Sequence, residues 1–142
     1  MANRWRNQFP QTYEKVVVTA YANVTFAASG VPTLVTANSK GVLGITQNGT
    51  GDYTFTFGTT SNGAIQRDVY VKLLQVNSVF QGASSGASAP AAPIISVRTN
   101  SVSTAGTASL RVLTIDYAGA AANPASGEIG YFEFTFGDST AP

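Results

Sequence analysis

The chain has 142 residues, with eight basic side chains against seven acidic ones and neither cysteine nor histidine. That length suits one domain with a real core, and the balanced, scattered charge excludes the basic stripe of a duplex-binding protein. The missing residue types exclude a disulfide framework, a thiolate metal site, imidazole chemistry and a Ser-His-Asp triad.

A chain of this size buries about 68–70% of its unfolded surface without a covalent staple. Its polarity comes from Thr, Ser, Asn and Gln, and its aromatics are biased to Phe and Tyr. No stretch approaches the ~20 apolar residues of a membrane helix. The leading MANRWRNQFPQTYEK lacks the apolar core of a secretory signal. Synthesis in a cytoplasm and no membrane partner are therefore expected.

Residues 1–12 read as an arm. Arg4, Trp5, Arg6, Phe9 and Pro10 follow neither helical nor strand period, and Pro10 restrains Phe9 to an extended conformation. Fraying is the default for such a terminus. Trp and Arg also anchor interfaces more often than other side chains, so the sharper expectation is that Arg4, Trp5, Arg6 and Phe9 dock on a partner.

Residues 13–27 alternate. Val16, Val18, Ala20, Ala22, Val24 and Phe26 share one parity; Lys15, Val17, Thr19, Tyr21, Asn23 and Thr25 share the other. Val and Thr disfavour helix, so this is a long strand with one apolar face. Ser29-Gly30 breaks it. Residues 31–37 form a short strand that Pro32 assigns to a sheet edge or a strand start.

Residues 41–58, GVLGITQNGTGDYTFTFG, hold a hairpin. Tyr53, Phe55 and Phe57 alternate with Asp52, Thr54 and Thr56, the pattern of a strand with one buried and one wet face. Asn48-Gly49 tolerates the positive φ of a tight reversal. Residues 58–65, with Asn62-Gly63, suit a crossover as well as a hairpin. Residues 67–76 alternate until the parity slips near Leu73-Leu74, which a bulge or burial on both faces explains.

Residues 81–93, QGASSGASAPAAP, are low in complexity and read as a long surface loop. Strands are expected at 93–99 and at 110–117, the latter with a parity change between Val112 and Leu113. Residues 118–127 form a second Ala/Gly/Pro loop. In the closing strand, 128–136, Phe132, Phe134 and Phe136 oppose Tyr131, Glu133 and Thr135. The tetrapeptide Phe-Thr-Phe-Gly occurs at 55–58 and again at 134–137, two strands meeting the same packing demand.

The pattern is all-β, with about eight strands and no convincing helix, in a single domain over 13–142 behind the arm. Uneven loop lengths argue for a two-sheet sandwich of jelly-roll or Greek-key type. Its core is expected from Val16, Val18, Val24, Phe26, Tyr53, Phe55, Phe57, Phe132, Phe134 and Phe136.

No catalytic set stands out. Glu14, Asp52, Asp68, Asp116, Glu128, Glu133 and Asp138 fall mostly at strand ends or on polar parity, where solvation and turn capping are the default. A glycosidase would need two of them facing one another. No loop has phosphate-cradling spacing, and no acidic cluster is dense enough for calcium. The sequons at Asn23 and Asn48 carry little weight without a secretory signal. The expectation is no enzyme activity, no cofactor, no metal and no nucleic-acid partner.

The motifs MANRW-x-NQF, A-S-G-V-P-T-L-V-x-A-N-S-K-G-V and N-G-T-G-D-Y-T-F-T-F resemble small structural proteins of tailed bacteriophages, the capsid decoration or cement proteins. The likeness covers residues 1 to about 58 well and the second half loosely. It implies a virion protein on the capsid exterior, made in the host cytoplasm. Such a protein stabilises the shell by bridging neighbouring major capsid proteins, commonly as a homotrimer at local three-fold positions. The resemblance further implies that the arm lies across the shell or a sister subunit, and that loops 82–93 and 118–127 pack at the trimer axis or on the shell. The alternative is a tail-fibre or spike domain binding a host surface glycan, because such domains use the same Gly-Asp-Tyr-Thr-Φ-Thr-Φ strand. Its aromatic platform would include Tyr70 or Tyr117.

Overall fold

A chain that alternates apolar and polar side chains is two-faced when extended, so it hides its apolar faces by stacking sheet on sheet. The computed structural model describes residues 16–61, 64–66, 72–83, 90–91, 94–100 and 108–138. Arg4, Trp5, Arg6, Phe9 and Tyr70 lie outside them, and Val16 and Val18 are described by their backbone only. The strands are β1 (Val16–Phe26), β2 (Pro32–Leu34), β3 (Val42–Gly49), β4 (Asp52–Phe57), β5 (Thr59–Ser61), β6 (Ala64–Gln66), β7 (Lys72–Gln81), β8 (Ile94–Asn100), β9 (Ser109–Ile115) and β10 (Ile129–Asp138). Two short 3-10 turns are the only helical segments among the described residues.

Eight of the strands form two antiparallel four-stranded sheets, ordered β2-β1-β10-β7 and β3-β4-β9-β8; β5 and β6 make a separate hairpin. The domain is a two-sheet β-sandwich. The chain changes sheet between β2 and β3, β4 and β7, β7 and β8, and β9 and β10, so an up-and-down meander is ruled out. The last strand returns to lie between β1 and β7. At one edge of the sandwich β2 meets β3, and at the other β7 meets β8.

Register follows size. Across the β1–β10 ladder Ala20 opposes Phe134, Ala22 opposes Phe132, and Val24 opposes Gly130. Small residues thus face large ones on the inner side, and a slip by one residue would turn the three phenylalanines outward. From the other sheet, Phe55 packs 4.8 Å from Phe132 and 4.9 Å from Phe134, centroid to centroid. Phe57 sits 4.9 Å from both Phe134 and Phe136 in edge-to-face geometry. Phe26 meets Tyr53 at 5.6 Å, and Phe80 meets Phe132 at 5.4 Å. Val24, Phe26, Tyr53, Phe55, Phe57, Phe132, Phe134 and Phe136 all lie in this interior, joined by Leu110 and Val112 of β9.

Four details differ from the sequence reading. The β3–β4 reversal takes its positive φ at Gly51 (66°), not at Asn48-Gly49, because a Cβ at Gly51 would lie 2.7 Å from the Thr114 carbonyl oxygen. The strand expected at 67–76 is described from Lys72 and runs on to Gln81, into the residues read as loop, with Phe80 filling the core. Its parity slip is a bulge: Thr135 pairs with Gln75 and Phe136 with Leu73, which leaves Leu74 extra. In β9 there is no parity change, since Leu110, Val112 and Thr114 are all buried on one side. Thr114 is tolerated there because its hydroxyl donates to the Ala122 carbonyl at 2.6 Å.

Replacing Phe134 by alanine should lower the unfolding free energy by about 3–5 kcal/mol, read from urea denaturation. Gly130→Ala should cost about 1–3 kcal/mol from the opposite cause, overpacking, since a Cβ there would lie 2.6 Å from the Phe132 ring.

Candidate functional site

Polar side chains inside or against a sandwich must find partners, and where they find them separates the parts that hold the fold from the surfaces left free. At one end of the sandwich Asn123 ties three segments together. Its Oδ1 accepts from the Gly51 N–H at 2.7 Å and from Gln47 Nε2 at 3.2 Å, and its Nδ2 donates to the Ser29 carbonyl at 2.9 Å. The Tyr53 hydroxyl donates to the Gly30 carbonyl at 2.9 Å, and burial pushes this phenol up to about 12. Gly30 (φ 75°) has no room for a side chain, because Asn123 and the Tyr53 hydroxyl occupy the space. Residues 122–124, expected to face a partner, therefore pack on their own domain, with Pro124 fully buried. Residues 117–121 and 125–127, on either side, stay exposed.

On the outer face of the second sheet, Asp52 is only 5% exposed, although its polar parity reads as solvent-facing. Arg111 binds it bidentately, Nε to Oδ1 at 2.7 Å and Nη2 to Oδ2 at 2.6 Å. Arg98, the extra residue at a bulge in β8, donates Nη1 to Oδ2 at 2.9 Å. The Arg111 hydrogen bond, helped by Asn48 and by both guanidinium charges, holds the Asp52 carboxyl below its ordinary value despite burial. Glu128 is likewise buried, accepting the Ala125 N–H at 2.9 Å and the Ala91 N–H at 2.7 Å. Asp116 caps its own turn through the N–H groups of Ala118 and Ala120. These carboxylates fasten loops and strands; among the described residues no three ligating side chains gather as a metal would need.

The first sheet's outer face is different. Tyr21 pairs across to Glu133, Asn23 to Tyr131, Tyr131 on to Val79, and Glu133 on to Asn77. Tyr21 and Tyr131 therefore stand diagonally on neighbouring strands of one face. With Asn38 from the turn after β2 these residues line an open groove of about 600 Å³. Its lining carries three amides, two phenols and one carboxylate, and no Lys or Arg among the described residues. The Tyr131 hydroxyl donates to Gln81 at 3.2 Å and Asn77 accepts from Gln75 at 3.0 Å. The Asn23 Oδ1 atom is buried and has no hydrogen-bond partner among the described residues.

The second unfilled surface is the edge where β7 meets β8. Leu74 and Val79 of β7, the latter 66% exposed, and Ile94 and Val97 of β8, 49% and 43% exposed, lie on these two edge strands, with Val79 on the outer face of the first sheet and Ile94 on that of the second. Half of the large exposed hydrophobics among the described residues sit on these two edge strands.

Of the aromatic platform expected for a glycan binder, Tyr117 is 69% exposed on the turn after β9, and Tyr70 lies outside the described residues. The structure instead brings together Tyr21 and Tyr131, which sequence reading assigned only to the wet faces of two strands. A tyrosine on the polar parity of each strand was the available signal, but nothing local says that the first long strand pairs with the last. Comparison with protein-family models, with curated proteins and with solved structures finds no match.

Two pH effects follow. The depressed Asp52 value means its stabilisation is complete above about pH 3.8 and is lost as pH falls through the lower folded value. Asp52→Asn should cost about 2 kcal/mol at neutral pH and flatten that acid-side decline, measured by urea denaturation across pH 2–6. For Tyr53 the folded value exceeds the unfolded 10.0, so its stabilisation holds below pH 10 and is lost between 10 and about 12. Tyr53→Phe should remove that alkaline loss, seen as a shallower fall of melting temperature over the same range.

Proposed function

We propose that this chain is a non-enzymatic capsid decoration protein of a tailed phage, one that stabilises the shell by bridging neighbouring major capsid proteins, as a homotrimer. The observation that carries the reading is the β7/β8 edge. Leu74, Val79, Ile94 and Val97 expose aliphatic side chains around strand edges that have no partner strand among the described residues. A lone soluble protein usually blunts such edges, because they invite pairing with another chain. The interlocked ring interior adds a rigid scaffold, which lowers the ordering cost of association. Several modest footprints on one trimer would bind far more tightly than a single one. The likeness of residues 1–58 to decoration proteins supports the same assignment and names the shell as the partner.

A tail-fibre or spike domain binding a host glycan is the second reading. The tyrosine-and-amide groove on the first sheet favours it; this groove adjoins the β7/β8 edge and shares Val79 with it.

Purified protein mixed with expanded shells that lack decoration should sediment with them and should ignore free capsid subunits. Absence of co-sedimentation would refute the decoration reading. Ile94→Asp should weaken attachment at least tenfold while leaving the melting temperature of the free protein within a few degrees of the parent.

A further inference from the structure

Sheet faces turned to water ordinarily carry scattered Thr, Lys and Glu, whose exposed ends need no partner. The outer face around β1, β10 and β7 departs from that. Tyr21 and Tyr131 stand on it diagonally, Asn23, Asn38 and Asn77 bring amides to it, and Glu133 is its only carboxylate. Its volume, about 600 Å³, lies within the about 300–1,000 Å³ typical of small-ligand sites.

Chemistry narrows the ligand. With Glu133 present and no Lys or Arg among the described lining residues, the groove offers phosphate, sulfate and nucleic-acid backbones no cationic partner. An aliphatic ligand would strip water from three amides and a carboxylate and return no hydrogen bonds. A ligand with apolar C–H faces and a rim of hydroxyls meets both demands. The phenol rings cover its C–H face, while each hydroxyl, donor and acceptor at once, pairs with an amide or with Glu133. The buried Asn23 Oδ1 makes the point sharper. It is an acceptor without a donor among the described residues, a state that costs about 1–3 kcal/mol, on a residue of the groove lining.

We propose that this groove is a binding site for neutral glycans, with Tyr21 and Tyr131 as stacking walls and Asn23, Asn77 and Glu133 as hydroxyl partners. The site names the ligand surface of the fibre-domain reading, yet it does not depend on where in a particle the chain sits. It differs from the Tyr117 turn and shares only Val79 with the β7/β8 edge, so its failure and that of shell attachment are separately visible through Tyr131 and Ile94.

The test is titration of the full chain with lactose, maltotriose, chitotriose and mannotriose, followed by amide chemical shifts and calorimetry. At least one sugar should bind saturably, with shifts confined to β1, β10 and β7. Tyr131→Ala and Glu133→Gln should each weaken it at least tenfold, and Tyr117→Ala should leave it unchanged. Both weakening changes are at outward positions, and Glu133→Gln keeps the side-chain shape, so folding is checked by melting temperature in the same samples. Three results would overturn the proposal. One is silence from all four sugars. Another is binding that Tyr117→Ala abolishes. The third is self-association in sedimentation velocity that Tyr21→Ala and Tyr131→Ala abolish while no sugar binds, which would make the groove a protein interface.

Discussion

Phe55 of β4 lies against Phe132 and Phe134 of β10, and Phe57 lies against Phe134 and Phe136, at centroid separations of 4.8–4.9 Å. Stacked sheets stand only about 10 Å apart, so rings from both layers fit only where neighbouring strands yield space. Ala20, Ala22 and Gly130 yield it. That constraint ties the first long strand to the last, sets their register, and requires the chain to cross between sheets rather than meander. It also decides which faces remain outside, because once the rings are turned inward the opposite parity of β1 and β10 is committed to the surface.

Buried carboxylates complete the frame in a way that polar parity conceals. Asp52 sits on the outer face of its sheet, yet two arginines from β8 and β9 close over it. A doubly paired carboxylate of this kind fastens the β3–β4 hairpin to the far side of the sheet. Glu128 does similar work between the segments at Ala91 and Ala125. Asn123 then locks the last long loop over the hairpin turn. Residues 122–124 of that loop pack on their own domain.

With the interior and its fasteners assigned, two surfaces stay unaccounted for by stability alone. One is the set of exposed aliphatic side chains on the edge strands β7 and β8, proposed as a protein contact. The other is the groove of tyrosines and amides on the first sheet, suited to a hydroxyl-bearing ligand. They lie on different aspects of the sandwich and share Val79.

How much of this was legible beforehand depends on range. Alternation over 52–57 and 129–136 marks strands and names their inward rings, because side-chain direction in a strand has period two and is a local property. The Leu73-Leu74 slip likewise announces a bulge. Partner choice is not local. Nothing near Ala20 says that it opposes Phe134, nothing near Asp52 says that Arg98 and Arg111 will reach it, and Thr114 on the core parity of β9 mimics a parity change until the Ala122 carbonyl is found beside it. The sequence by itself determined the all-β class, the strands and the inward face of most of them. The tertiary structure alone decided strand order, the burial of two carboxylates and the meeting of Tyr21 with Tyr131, because each depends on contacts between residues tens of positions apart that only the closed sandwich brings together.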